Sequence, residues 1–172
     1  MPWCVRKCPY CDFNSHAVPD GELSLDLEQQ YLAALVADFE TQVEMAQGRS
    51  IHSVFIGGGT PSLISAQGYQ WLFDQLKARL DFEAGCEITL EANPGTVEHD
   101  PFADYLAVGI NRLSLGVQSF DPEHLQRLGR IHSANNALDA IQQARQAGFE
   151  RVNVDLMHGL PQQTEQQALT DL

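Results

Sequence analysis

Three of the four cysteines lie within the first eleven residues, and their spacing is the clearest chemical signal in the sequence. Cys4, Cys8 and Cys11 form a CxxxCxxC pattern, whereas Cys86 is far from them along the chain. Three thiols this close cannot all pair with one another, and a chain that is 44% hydrophobic does not need disulfides to hold it together. A short loop that presents three soft thiolates is instead suited to a metal centre.

The spacing leaves two kinds of metal centre open. Structural zinc takes four ligands, and His16, a few residues beyond Cys11, is a candidate for the fourth. A [4Fe–4S] cluster normally takes four thiolates, so a set of three leaves one iron with a position for a substrate or cofactor. The pattern favours the iron–sulfur cluster, and zinc is the alternative.

A glycine-rich turn, Gly57-Gly-Gly-Thr60, directly follows the strand predicted at residues 54–56. Glycines expose backbone N–H and C=O groups and allow a ligand to approach the chain closely. The turn is neither GxGxxG nor GxxxxGK(S/T), which argues against a dinucleotide-binding fingerprint and a P-loop. A tight connection between strand and helix is the simpler interpretation of the same residues.

Polar side chains alternate with apolar ones along three predicted strands, although parallel strands that are covered on both faces are usually apolar throughout. Glu91, Gln118 and Asp155 fall at the carboxyl ends of these strands. Parallel α/β folds bind ligands at the carboxyl ends of their strands. The pattern therefore favours a polar ligand there, the alternatives being a sheet with one wetted face or internally paired carboxylates.

The elements that position these residues alternate between strands and helices. The predicted strands cover residues 54–56, 87–93, 112–117 and 151–157. The predicted helices cover residues 24–48, a segment through Trp71 and Leu80, residues 101–108, 122–128 and 135–148, and the chain from Thr164 onward. Pro2, Pro9, Pro19 and the Asp20-Gly21 turn predict a loop over residues 1–23. Such alternation predicts a single α/β domain over residues 1–172, with right-handed crossovers and a parallel sheet.

Both ends of the sequence are unusual for such a domain. No strand is predicted before the loop that starts at residue 4, and the last predicted helix runs uncapped to Leu172. We therefore expect the chain to be a fragment that lacks a first strand and a C-terminal part.

The charge balance excludes some partners. The 172 residues contain 23 acidic and 10 basic side chains, for a formal net charge of −13. Such a chain repels phosphate backbones and anionic lipid, which argues against nucleic-acid and membrane-surface binding. No apolar run approaches the ~20 residues of a membrane span, and no signal peptide is visible. We expect a cytoplasmic protein.

Several ordered motifs together resemble the oxygen-independent coproporphyrinogen III oxidase family within the radical S-adenosylmethionine (SAM) superfamily. They are Pro2-Trp-Cys4, Cys11-Asp-Phe-Asn14, Gly57-Gly-Gly-Thr-Pro61, Glu91-Ala-Asn-Pro94, Ser114-Leu-Gly-Val-Gln-Ser-Phe120, Leu128-Gly-Arg130 and Asn153-Val-Asp-Leu-Met-His-Gly-Leu-Pro161. The oxidases of this family have a further cysteine at the place of Phe13. Here the residues that follow Cys11 resemble the HemW-like heme-chaperone branch instead. The resemblance implies a partial parallel (β/α) barrel of the radical SAM type.

The resemblance also implies a role for each candidate site residue. Cys4, Cys8 and Cys11 would bind three irons of a [4Fe–4S] cluster, and the fourth iron would take SAM. Tyr10 would lie by the adenine, and Gly58, Gly59 and Thr60 would hold the methionyl part through backbone groups. The remaining SAM-binding places are Glu91, Gln118, Arg130 and Asp155. A guanidinium suits the SAM carboxylate, and carboxylates suit its ammonium and ribose hydroxyls. His52, His99, His124 and His132 have no ligand spacing, and Cys86 is expected to be a buried, inert thiol.

The function that the resemblance implies is a heme chaperone that keeps the cluster and SAM site. Its expected partners are heme or a porphyrin, a heme-acceptor protein and an electron donor for the cluster. The alternative is a coproporphyrinogen III oxidase, in which the reduced cluster cleaves SAM to methionine and a hydrogen-abstracting 5′-deoxyadenosyl radical. Whether the chain is an enzyme stays open between the two. A zinc-binding α/β protein without catalysis is the third interpretation.

Overall fold

The computed structural model describes residues 1–18, 22–95 and 100–172. The strands are β1 (Trp3–Cys4), β2 (His16–Ala17), β3 (Ile51–Ile56), β4 (Phe82–Ala92), β5 (Arg112–Gln118) and β6 (Arg151–Leu156). The α-helices are α1 (Leu25–Gln42), α2 (Ala66–Lys77), α3 (Phe102–Ala107), α4 (Pro122–Arg127), α5 (Ala134–Ala147) and α6 (Glu165–Thr170). Among these residues, no helix is long and apolar enough to cross a bilayer.

The larger sheet of the described residues has four strands in the order β3-β4-β5-β6, and every neighbouring pair is parallel. Consecutive strands are therefore neighbours, and the chain returns through helices between them. In register across the sheet, Leu90 pairs with Leu113, and Leu113 pairs with Val152. The predicted parallel α/β architecture is confirmed.

The core lies between one face of this sheet and the helices. Leu90, Leu113 and Leu115 have no exposed surface, and neither do Tyr69 and Phe73 of α2. Burying one such side chain contributes roughly 2 kcal/mol. Because side chains alternate along a strand, this packing leaves the polar positions of β4, β5 and β6 on the opposite face.

The loop predicted over residues 1–23 contains a short parallel ladder instead. Trp3 pairs with His16 and Cys4 with Ala17, and the His16 amide donates to the Pro2 carbonyl at 2.7 Å. The prolines predicted irregular structure. Pro2 nevertheless takes part in the ladder, because it uses only its carbonyl acceptor and proline lacks only the N–H donor. The pairing joins residues that are distant in sequence, so local preferences could not predict it. Pro19, Asp20 and Gly21 lie outside the described residues.

Several predicted boundaries are also corrected. β4 begins at Phe82, earlier than predicted, because a register shift against β3 accommodates Gly85, whose φ is +80°. β3 begins at Ile51 rather than at residue 54. The apolar run at residues 54–56 predicts a buried strand, but β3 is an edge strand within the described sheet and Phe55 is 66% exposed. α2 ends at Lys77, before Leu80. α6 ends at Thr170 with Asp171 as its C-cap, so it does not run to Leu172.

Candidate functional site

A cavity of about 320 Å³ opens where the carboxyl ends of β4, β5 and β6 meet the cysteine loop. It brings together every predicted site residue except Thr60, and these are Cys4, Cys8, Tyr10, Cys11, Gly58, Gly59, Glu91, Gln118, Arg130 and Asp155. Thr60 is buried behind the cavity wall, where its Oγ1 accepts a hydrogen bond from Asn93 Nδ2 at 3.1 Å. Residues far apart in sequence thus converge on one volume.

All three loop cysteines are free thiols that line this cavity. A short turn shapes the loop, since the Cys11 amide donates to the Cys8 carbonyl at 3.1 Å. Within the described residues, no three His, Cys, Asp or Glu side chains are close enough to bind a single metal ion. Three thiols on one loop beside a single cavity fit a [4Fe–4S] cluster, in which each thiolate binds a different iron.

His16, the candidate fourth zinc ligand, is placed away from the cavity. It belongs to β2, where it is exposed and pairs with Trp3 through the backbone. His16 therefore does not line the cavity that the three cysteines share, and the zinc interpretation is left without the fourth ligand that the sequence offered.

The glycine-rich turn packs directly against the first residues of the chain. Gly58 has φ +112°, and a Cβ there would lie 2.6 Å from the Met1 carbonyl oxygen. The amides of Gly59 and Thr60 donate at 2.6 Å to the carbonyls of Met1 and Trp3 respectively. Glycine is required at this position because the backbone segments touch, a reason the sequence pattern did not reveal.

Glu91 and Asp155 face the cavity in different surroundings. Burial raises the pKa of the half-buried Glu91 carboxyl, and the nearby Asp155 raises it further, whereas a hydrogen bond from the Gly58 amide at 3.1 Å opposes the shift. Asp155 instead accepts hydrogen bonds from Asn153 Nδ2 at 2.7 Å and from Ser114 Oγ at 3.1 Å. Hydrogen bonds within the chain thus satisfy part of the Asp155 carboxylate. This agrees in part with the alternative interpretation, in which the carboxylates on these strand faces are paired internally.

Gln118 ends β5 in a left-handed conformation, with φ +72°. Its carbonyl accepts a hydrogen bond from the Met157 amide at 2.8 Å, and the register between β5 and β6 shifts just before it. Non-glycine residues adopt this region at a cost, which the surrounding structure must offset. Gln118 lines the cavity at this irregular end of the strand.

Arg130 lies between the cysteine loop and the sheet. Its Nη2 donates to Asn93 Oδ1 at 2.7 Å and to the Gly116 carbonyl at 2.6 Å. Its Nη1 lies 3.6 Å from Cys8 Sγ and 3.5 Å from Tyr10 Oη. The guanidinium is therefore anchored to the sheet on one side and faces the cysteine loop on the other.

Asn93 lines the cavity but was not among the predicted site residues. It follows β4 directly and falls on the same alternating face as Glu91. The alternation along the predicted strand 87–93 already reaches Asn93, but that pattern assigned no site role to it. Phe13, which the motif comparison singled out, also lines the cavity, and it is 56% exposed.

The other singled-out residues lie elsewhere. His52 is exposed next to Glu83, and His124 is buried. His132 is also buried. Burial and the positive charge of the neighbouring Arg130 lower its pKa to about 4, whereas the hydrogen bond to the Val117 carbonyl raises it. Cys86 is half-buried rather than buried, and its pKa is raised chiefly by that burial. His99 lies outside the described residues.

The fold and the cavity define a parallel α/β protein with a three-cysteine cofactor site at the carboxyl ends of its strands. A sequence profile described as Radical SAM superfamily matches residues 1–172. The chain belongs to the radical SAM superfamily. Membership implies a [4Fe–4S] cluster and SAM, and the thiols, carboxylates and guanidinium in the cavity fit both groups.

Similar proteins refine this placement. The chain is 52% identical over 172 residues to the heme chaperone HemW of Haemophilus influenzae and 54% identical to that of Escherichia coli, covering all of this chain and 45% and 44% of those proteins. The chain thus spans less than half the length of these curated relatives. The solved structure of coproporphyrinogen III oxidase (HemN) from Escherichia coli, a radical SAM enzyme, matches with a TM-score of 0.84 at 30% identity. The match covers 99% of this chain and 38% of that structure, and it confirms the predicted radical SAM fold.

Proposed function

We propose that this chain forms the cofactor-binding part of a radical SAM heme chaperone, with a [4Fe–4S] cluster on Cys4, Cys8 and Cys11 and SAM in the adjoining cavity. The observation that supports this most directly is the convergence of three thiols, one guanidinium and two carboxylates on a single 320 Å³ volume. When bound, the cluster supplies one-electron reduction of the SAM sulfonium.

Each cavity residue has a role that its chemistry suits. Arg130 takes the SAM carboxylate through a charge-assisted hydrogen bond, because its Nη1 faces the cavity while its Nη2 is anchored. Glu91 and Asp155 accept from the SAM ammonium and ribose hydroxyls. Gln118 both donates and accepts.

The loop residues complete this assignment. Tyr10 covers the adenine, and the segment Gly58–Thr60 meets the methionyl part through its backbone. Because the amides of Gly59 and Thr60 are already donated within the chain and the Thr60 carbonyl accepts from the Leu63 amide, we assign this contact to the Gly59 carbonyl oxygen. The half-buried walls of the cavity limit the access of water to the reacting sulfonium.

Two observations favour a chaperone over an oxidase. The most similar of the relatives described above are named heme chaperones, and Phe13 stands where the oxidases have a further cysteine. We therefore place heme or a porphyrin among the ligands of the whole protein, with a heme-acceptor protein and an electron donor as partners, in the cytoplasm. The structural match to coproporphyrinogen III oxidase supports the second candidate, oxidative decarboxylation of coproporphyrinogen III.

Cluster loading tests the metal ligands. The protein is reconstituted anaerobically with iron and sulfide, alongside single Cys→Ser variants at Cys4, Cys8 and Cys11 and the matched control Cys86→Ser. We expect about four irons per chain in the wild type and in the control, and substantial loss in each loop variant. Equal loading of Cys8→Ser and Cys86→Ser would contradict the ligand assignment.

Turnover then separates the two candidate functions. The loaded protein is incubated with SAM, a reductant and coproporphyrinogen III, and heme binding is measured in parallel by absorbance titration. Heme binding without protoporphyrinogen supports the chaperone. Formation of protoporphyrinogen supports the oxidase, and failure to bind heme would contradict the chaperone.

A further inference from the structure

Asn93 connects three parts of the site. It stands just after β4, its Oδ1 accepts from Arg130 Nη2 at 2.7 Å, and its Nδ2 donates to Thr60 Oγ1 at 3.1 Å. Since arginine has only donors, the amide oxygen must face Arg130, which leaves the NH₂ group for the threonine hydroxyl. The orientation of the Asn93 side chain is thus fixed by both neighbours.

Gly116 leaves the space in which these side chains meet. A Cβ at this position would lie 3.0 Å from Asn93 Oδ1 and 3.1 Å from Gln118 Nε2. The Gly116 carbonyl is also the second acceptor for Arg130 Nη2, at 2.6 Å. Two acceptors on one nitrogen hold the guanidinium plane at the cavity wall. The Arg130 Nε is buried, with no hydrogen-bond partner in the described part of the chain.

We propose that Asn93 is a positioning residue that pre-orients Arg130 for the carboxylate of SAM, a role that rests on the proposed SAM site. A long, flexible side chain loses conformational freedom when it binds, and an anchor formed in advance reduces that loss. Although Asn93 also lines the cavity, we assign its effect on SAM to the orientation of Arg130. Its contribution should therefore disappear when Arg130 is absent.

A double-mutant cycle on SAM affinity tests this dependence. The dissociation constant is measured by calorimetry on cluster-loaded wild type, Asn93→Ala, Arg130→Ala and the double variant, with Asn135→Ala, an exposed α5 residue, as the matched control. We expect about tenfold weaker binding for Asn93→Ala, which corresponds to about 1.4 kcal/mol, and no change for the control. The double variant should bind no more weakly than Arg130→Ala. Full additivity, or unchanged binding by Asn93→Ala, would overturn the proposal.

A second measurement does not need SAM. The rate at which phenylglyoxal modifies Arg130 is followed by peptide mass spectrometry on the same proteins. We expect modification to be several-fold faster in Asn93→Ala than in the wild type or Asn135→Ala, because the guanidinium is released. Equal rates would contradict the anchor. If Asn93→Ala is modified faster but the wild type binds no SAM, the anchor on Arg130 is supported and the proposed SAM site is contradicted.

Discussion

Gln118 is the residue at which backbone strain and the candidate site coincide. Its left-handed φ of +72° is one that glycine adopts without cost. We expect Gln118→Gly to be about 1 kcal/mol more stable than Gln118→Ala, while both variants bind SAM equally weakly because both lack the amide. Chemical denaturation and calorimetry on this matched pair test the prediction. Equal stability of the two variants would show that the strain is absent in solution.

His132 makes the stability of the protein depend on pH. Its pKa is lowered from 6.5 to about 4, chiefly by burial. Between these values the unfolded chain binds a proton that the folded chain does not, so this contribution to stability falls as the pH is lowered through that range. The loss should reach up to about 3 kcal/mol.

The free energy of unfolding, measured from pH 7 to pH 4, checks this expectation. The stability of the wild type should fall more steeply than that of His132→Gln, which cannot titrate. Parallel slopes for the two proteins would contradict a buried, neutral His132.

At the scale of elements, α6 is fastened to the loop that follows β5 by one buried carboxylate. Asp171, the C-cap of α6, accepts from Ser119 Oγ at 2.7 Å and from the Phe120 amide at 2.8 Å. Ser119 directly follows Gln118, so this contact supports the strained end of β5. The element that holds Gln118 in place is thus far from it in sequence.

Asp171→Asn should weaken this connection. The substitution keeps the shape but removes the charge and replaces one of the two acceptor oxygens with an NH₂ group, so we expect a loss of about 1–3 kcal/mol in the free energy of unfolding. The matched control is Asp139→Asn on the exposed face of α5, which should change stability little. Similar unfolding midpoints for both variants would contradict a structural role for the buried carboxylate.

At the scale of the whole molecule, the formal net charge is −13. The described residues form few ion pairs that could offset the repulsion among the acidic side chains. Self-repulsion of this kind destabilises the compact state, and salt screens it over about 10 Å at 0.1 M. We expect the thermal midpoint to rise by several degrees between 10 and 200 mM NaCl. Sodium chloride is preferred to sulfate because sulfate also strengthens apolar burial. A midpoint that does not change, or that falls, would show that the charge is already compensated.

The sequence by itself determined the alternation of strands and helices, the parallel sheet and nearly all of the cavity. The alternation, the sheet and the place of Glu91, Gln118 and Asp155 follow from periodicity and from the rule that parallel strands present their carboxyl ends at one edge, whereas Tyr10 and Arg130 were assigned only through the family resemblance. Glu91 and Asp155 were found because alternation assigns a side chain to a face without knowledge of any partner.

Only the tertiary structure decided the features that depend on contacts between distant segments. The ladder between Trp3 and His16, the bulge at Gly85 and the left-handed Gln118 all arise from neighbours that local preferences do not encode. The same holds for Asn93, whose partner Arg130 is 37 positions further along the chain. A hydrogen bond of this kind depends on distances that exist only after the strands have paired, so its members become visible only in the folded chain.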